Sequence, residues 1–317
     1  MIAFVFPGQG SQQVGMGKDL ADRFDVCRAT LAEADTVLGS ALTNLCFEGP
    51  EDALMLTENT QPAVLAVSVA IHRLLVSRGI VPDIVAGHSL GEYSANVAAG
   101  TISFADALRT VRRRGLYMQE AVPVGTGAMA AILGLDAETV ERVCLESAQG
   151  DVVSAANLNA PGQVVVAGTR AAVARASERA KELGARRAMP LPVSAPFHCA
   201  LMEPAERRLA PELRQLVVSD PRIPVVANVD AEVKQDAAAV VDALVRQVSA
   251  PVQWEGVVRR LTAEGARTFI EVGPGKVFSR LIKKIDRAAD VFSIYDVESL
   301  QRLEQLRARK TSSGTSG

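Results

Sequence analysis

Only three histidines and four scattered cysteines occur in the 317 residues, and this scarcity excludes several kinds of site. Cys27, Cys46, Cys144 and Cys199 form no CxxC pair and match no histidine spacing, so neither a zinc site nor a disulfide framework is expected. Reduced thiols in a cytoplasm follow. The formal charge is −2 and the densest basic run is Arg112-Arg113-Arg114, which gives no electrostatic footing for nucleic acid. The longest apolar region, 62–76, is broken by His72 and Arg73 and falls short of a membrane span. Met1-Ile2-Ala3-Phe4-Val5-Phe6 lacks a basic leader and is too short for a signal segment, so it reads as a strand. The turn after it, Pro7-Gly8-Gln9-Gly10-Ser11-Gln12, has neither GK[ST] nor GxGxxG, which makes a phosphate cradle unexpected. No metal, cofactor, nucleic-acid partner or membrane partner is expected.

What is present is a chain 48% apolar, long enough for one large domain or two smaller ones. Helical patterning over 26–38, 61–77 and 104–119 surrounds a short apolar strand at 83–86, and Ser103 is placed to cap the third helix. The pattern changes at 123–127. Strands at 129–133, 152–155, 164–167 and 187–191, with helices at 137–147 and 170–183, give a βαββαβ order, which is ferredoxin-like. The segment 157–162 is assigned to the turn between the middle strands. Strand–helix alternation then resumes, with strands at 223–228, 268–272 and 291–295. The expected architecture is α/β: an α/β-hydrolase-like parallel-sheet domain formed by 1–124 and 196–310, an inserted subdomain at 125–195, and a disordered tail at 311–317.

The sharpest local feature is Gly87-His88-Ser89-Leu90-Gly91, a GxSxG between an apolar strand and a run of small, helix-compatible residues. This spacing suits a nucleophile elbow. Ser89 stands at the tip as nucleophile, and the backbone N–H of Leu90 at the new helix start can face a developing oxyanion. A serine needs a base, and only three residues qualify. His72 lies within a helix beside Arg73 and reads as a partly exposed surface residue. His88 adjoins Ser89 on a sharp turn, where neighbouring side chains point apart, and reads as a buttress or pocket wall. His198, in an irregular loop where the inserted segment rejoins the main domain, is the expected base. No acid can be assigned from the residues alone, so a dyad is the natural form.

At this point a resemblance enters. Phe6-Pro7-Gly8-Gln9-Gly10-Ser11-Gln12, Thr60-Gln61-Pro62-Ala63, the elbow with Glu92-Tyr93-Ser94-Ala95, Arg114-Gly115, Gly125-Thr126-Gly127-Ala128-Met129, Asn159-Ala160-Pro161-Gly162-Gln163, Ala195-Pro196-Phe197-His198, Pro251-Val252-Gln253-Trp254 and Glu271-Val272-Gly273-Pro274-Gly275 occur in order. Together they make the chain similar, nearly end to end, to the malonyl-CoA:acyl carrier protein transacylases of fatty-acid synthesis. The resemblance implies malonyl transfer from malonyl-CoA to acyl carrier protein through a malonyl-serine, by a monomer. It implies an oxyanion hole from the N–H groups of Gln9 and Leu90, and Arg114 as the malonyl carboxylate's partner. The Gln253 carbonyl is expected to orient His198, and Gln61, His88, Met118 and Asn159 to line the pocket. Cys199 departs from the small hydroxyl residue expected beside the histidine, which puts an oxidisable or alkylatable thiol near the site. A trans-acting polyketide acyltransferase, a serine esterase and a non-catalytic carrier-binding scaffold are the competing readings.

Overall fold

A computed structural model describes residues 1–313 apart from Val124 and Ser194, with side chains described through residue 308. In chain order the strands are β1 Ile2–Phe6, β2 Ile84–Gly87, β3 Gly127–Leu133, β4 Val153–Ala160, β5 Gln163–Thr169, β6 Arg187–Pro190, β7 Val225–Val226, β8 Val233–Lys234, β9 Thr268–Val272 and β10 Asp290–Ile294. Six of them form one sheet in the order β10-β9-β1-β2-β7-β8, parallel except for β8. Side chains alternate across a strand, so Phe4 and Phe6 of β1 enter one apolar cluster while Ala3 and Val5 enter another. Both faces are therefore covered, as a parallel sheet requires. Helix Thr57–Ser77 has the length and composition of a membrane span, but 78% of its most apolar window is buried inside the fold, which makes it the core helix.

The other four strands form an antiparallel sheet in the order β4-β5-β3-β6, with helices Ala137–Ala148 and Arg170–Glu182 in the connections. This is the ferredoxin-like arrangement. One expected boundary moves: β4 continues to Ala160, so Asn157, Leu158 and Asn159 lie in the strand and the turn is Pro161-Gly162. Register shifts at Ala155/Asn157 and Leu158/Ala160 interrupt the apolar alternation and hide the strand's second half. That half matters, because Asn157 bridges to Val252 and ties the second sheet to the loop behind the first.

Helices Lys18–Arg23, Leu42–Glu48, Glu51–Met55 and Glu203–Gln215 were not expected. The first three are too short for a period to show, and the last contains Pro204 and Pro211. Pro204 falls in its first turn, where a missing N–H is harmless. Strand pairing near 223–228 shrinks to β7, and helix Val297–Ser313 takes in the first three residues of the expected tail; 314–317 lie outside the described residues. His72 is partly exposed, as expected, but its ring is anchored on the core. Its ring meets Phe4 and Phe6 edge-on at 6.1 Å, and Nδ1 is enclosed with no hydrogen-bond partner among the described residues.

Candidate active site

Strand β1 pairs with β2 in the register Phe6↔Gly87, which brings the turn after β1 against the elbow after β2. The approach is tight enough to dictate glycine. A Cβ on Gly87 would lie 2.0 Å from the Gly91 carbonyl, and one on Gly91 would lie 2.2 Å from the Phe6 carbonyl oxygen. Ser89 sits at the tip with φ +53, in the left-handed region that an L side chain adopts only under constraint. Asn228, just past β7, supplies that constraint: its Oδ1 accepts from Ser89 N at 2.7 Å and its Nδ2 donates to Gly87 O at 2.6 Å. Sequence reasoning missed this residue, which belongs to no recognised local pattern.

The Ser89 hydroxyl lies 2.7 Å from His198 Nε2, while His198 Nδ1 lies 3.0 Å from the Gln247 carbonyl and 3.2 Å from that of Ala250. A carbonyl only accepts, so Nδ1 carries the hydrogen and Nε2 presents its lone pair to the serine. No carboxylate is involved. Gln253 does not fill the role expected of it: it precedes helix Trp254–Ala263, and its N–H donates to Asn228 O at 2.9 Å. The error is one of main-chain direction, because the chain turns after helix Ala237–Arg246 so that Gln247 and Ala250 aim their carbonyls at the ring. Burial, then the nearby Arg114 and His88, hold the His198 pKa down at about 3, so the imidazole is a neutral acceptor near pH 7.

Arg114 reaches this pair because Gly115 lets two helices touch. A Cβ at Gly115 would lie 2.6 Å from Thr57 O and 2.8 Å from Glu58 Cα, so helix Phe104–Glu120 crosses helix Thr57–Ser77 at backbone contact. The three consecutive arginines consequently part company: Arg113 pairs with Glu212 at the surface, Arg112 reaches Ser40, and Arg114 is 1% exposed. Its Nη1 donates to Gln61 Oε1 at 2.8 Å; its Nη2 donates to Gln247 Oε1 at 2.9 Å and to Ser89 Oγ at 3.0 Å. Nε has no acceptor, and among the described residues no carboxylate forms an ion pair with the group. Burial pulls its pKa down, yet a guanidinium remains charged. A buried cation in this state can receive an anion.

These groups open on a cavity of about 260 Å³ lined by Gln9, Gln61, His88, Ser89, Arg114, Met118 and His198, together with Met129, Asn157, Leu191 and Phe197. Asn159 is not in its wall: it stands behind His88, whose Nε2 it meets at 3.0 Å, and Asn157 takes the lining position. Strict alternation would set both side chains on one face; the register shift between Leu158 and Ala160 falls at Asn159 and separates it from Asn157, which bridges to Val252. The backbone N–H groups of Gln9 and Leu90 donate to no acceptor among the described residues and are free for a ligand oxygen. Glu271, in β9 just before the turn 273–275, caps helix Val277–Ile285 through Phe278 N at 3.1 Å and Ser279 N at 2.9 Å. Phe278 in turn packs on His88 at 4.8 Å between centroids, so that turn supports the elbow from behind. Cys199 is buried, donates to Pro196 O at 3.1 Å, and has its thiol pushed up to about 11 by burial, which removes the reactive thiol expected there. No group of three or more potential metal ligands occurs among the described residues.

The arrangement can carry out acyl transfer to a serine with recognition of a second, anionic end of the acyl group. Comparison with known proteins agrees. The family described as an acyl transferase domain matches residues 3–311. A malonyl CoA-acyl carrier protein transacylase of Bacillus subtilis is 49% identical over 301 residues, 95% of each chain. An acyl carrier protein S-malonyltransferase structure from Vibrio cholerae superposes with a TM-score of 0.93 at 50% identity, covering 95% of this chain and 99% of the other. A malonyl-transacylase solved in complex with its type II PKS acyl-carrier protein gives 0.92 at 51%, covering 94% and 97%. The chain belongs to the acyl transferase domain family, among its malonyl CoA-acyl carrier protein transacylases.

Proposed function

We propose that this chain transfers the malonyl group of malonyl-CoA to the phosphopantetheine thiol of acyl carrier protein, supplying fatty-acid chain elongation in the cytoplasm. The observation that carries the reading is Arg114, a buried guanidinium without a carboxylate partner, 3.0 Å from the nucleophile's oxygen. A malonyl thioester carries its free carboxylate one methylene from the reacting carbonyl, so a guanidinium this near the nucleophile meets it, and the fork binds it bidentately. Ser89 Oγ attacks the thioester carbonyl as its proton passes to His198 Nε2. The N–H groups of Gln9 and Leu90 hold the oxyanion, at roughly 3 kcal/mol of barrier for each donor. The CoA thiolate leaves with the proton from His198, and a malonyl-serine remains. The carrier's thiol then attacks that ester in the reverse sense, with His198 as base again.

The substrate's carboxylate does more than bind. By cancelling the Arg114 charge it removes the largest electrostatic influence, after burial, that holds His198 low, and the imidazolium formed during attack becomes easier to make. Residues 125–195 act in this reading as a subdomain that walls one side of the cavity through Met129, Asn157 and Leu191. Transfer to a polyketide carrier in trans is the less favoured alternative, and carrier preference separates the two.

The test is intact-protein mass after mixing with malonyl-CoA or acetyl-CoA, followed by phosphopantetheinylated carrier. A malonyl adduct that is absent in Ser89→Ala and discharges onto the carrier supports the reading. An adduct that discharges only to water replaces it with an esterase, and no adduct with retained carrier binding replaces it with a scaffold.

A further inference from the structure

We infer that Glu92 is a positioning residue for malonyl selection: its buried carboxyl fixes the side-chain amide of Gln247 so that the amide oxygen faces Arg114. The inference rests on the proposed pairing of Arg114 with the malonyl carboxylate. Glu92 lies in the first turn of helix Gly91–Ala99, three residues beyond the nucleophile, and is 1% exposed. An acid there is unexpected on packing grounds, since a buried carboxyl is unfavourable without hydrogen-bonded partners. Its partners are specific. Oε2 accepts from Gln247 Nε2 at 2.7 Å and from Asn228 N at 3.0 Å.

Gln247 is fully buried and touches all three functional side chains or their backbone. Nε2 also donates to Ser89 O at 3.0 Å, Oε1 accepts from Arg114 Nη2 at 2.9 Å, and the main-chain carbonyl meets His198 Nδ1 at 3.0 Å. An amide has two ways round. Reversed, it would set its oxygen against the Glu92 carboxyl and the Ser89 carbonyl, and its NH₂ against the guanidinium, so every contact would oppose like with like. Glu92 supplies the acceptor that makes the observed orientation the satisfied one. Without it Nε2 is held only by the Ser89 carbonyl and a 3.5 Å contact to Asn228 Oδ1, so the amide can turn more freely and Arg114 is less firmly held by one of the two amide oxygens that fix its fork beside Ser89 Oγ. The Gln247 main-chain carbonyl is set by the backbone and is independent of that turn, so the Ser89–His198 pair remains competent.

The experiment uses the full chain and measures serine acylation at limiting malonyl-CoA and acetyl-CoA for Glu92→Met, Glu92→Asp and Glu92→Gln. Methionine removes the acceptor at similar length, and aspartate withdraws it by one methylene. Both are expected to lower the malonyl-to-acetyl rate ratio by about tenfold, with a raised KM for malonyl-CoA and acetyl rates nearly unchanged. Glutamine keeps an amide oxygen for Gln247 Nε2 and Asn228 N and is expected to restore most of the ratio. A purely structural role would lower both rates together. An unchanged ratio in Glu92→Asp, or a Glu92→Gln variant as damaged as Glu92→Met, overturns the inference; should Glu92→Met fail to fold, the aspartate variant carries the test. If the wild-type chain acylates with neither ester, the functional reading has failed; acylation with an unmoved ratio removes the role of Glu92 alone.

Discussion

Replacement of Arg114 by alanine is the perturbation with the largest consequence that the geometry defines. In the proposed Michaelis complex the guanidinium makes two charge-assisted hydrogen bonds to the malonyl carboxylate, each worth about 1.5–3 kcal/mol. Losing both takes about 3–6 kcal/mol from the transition state for serine malonylation, or roughly 10²–10⁴ in rate at limiting malonyl-CoA. Acetyl-CoA offers no carboxylate, so its rate is governed by Ser89 and His198 alone. Arg114 is the second-largest influence depressing His198, after burial, and its removal relieves a cation 3.0 Å from Ser89 Oγ. Acetylation is therefore expected to rise as malonylation falls. Quenched-flow mass measurement of the acyl-serine with both esters reads the two rates in one preparation. A parallel fall in both would refute the argument, since it would mean that Arg114 serves the fold of the site and not the choice of acyl group.

Three further outcomes follow from the same geometry. Asn228→Ala removes both hydrogen bonds that hold the elbow, at Ser89 N and Gly87 O, and is expected to slow acylation by both esters about tenfold while leaving their ratio alone; a shifted ratio would contradict that assignment. Burial lowers the His72 pKa from 6.5 to about 4, so its contribution to stability is present above pH 6.5 and is lost as pH falls through about 4. His72→Leu should accordingly show a smaller loss of Tm between pH 7 and pH 4 than the parent chain, with unchanged acylation at pH 7; equal losses would remove His72 from the acid response. All four cysteines are buried, with thiols pushed up to about 11 for Cys199 and about 12 for the others, so iodoacetamide at pH 7.5 should leave the native chain unlabelled and active. Rapid stoichiometric labelling of Cys199 would show that the loop 195–199 opens.

How much was legible in the chain depended on whether the information was local. The elbow was legible because two close backbone approaches leave glycine as the only residue at 87 and 91, and such a constraint writes itself into five consecutive positions. His198 was legible by elimination, since only three histidines exist. Ser103 as a cap was legible because its hydroxyl and Asp106 N lie within a single turn, at 3.0 Å. The alternation that produces two sheets was legible from periodicity, except where the bulges of β4 break it and displace Asn157 and Asn159 from their expected roles.

The rest was decided by tertiary contact. Composition and charge make Arg112, Arg113 and Arg114 equivalent and only the family resemblance separated Arg114; the crossing of two helices at Gly115 is what sends it into the core. Which carbonyl faces His198 depends on the path of the chain past Gln247, and main-chain direction leaves no mark on residue identity. Asn228, Gln247 and Glu92 lie far apart along the chain, yet they meet behind Ser89 as one hydrogen-bonded group. The chain by itself determined the elbow serine, the histidine that meets it at 2.7 Å and the two-sheet architecture, because each is set by spacing or by scarcity. The three-dimensional packing decided what surrounds them, because burial, charge isolation and carbonyl direction arise only when distant segments come together.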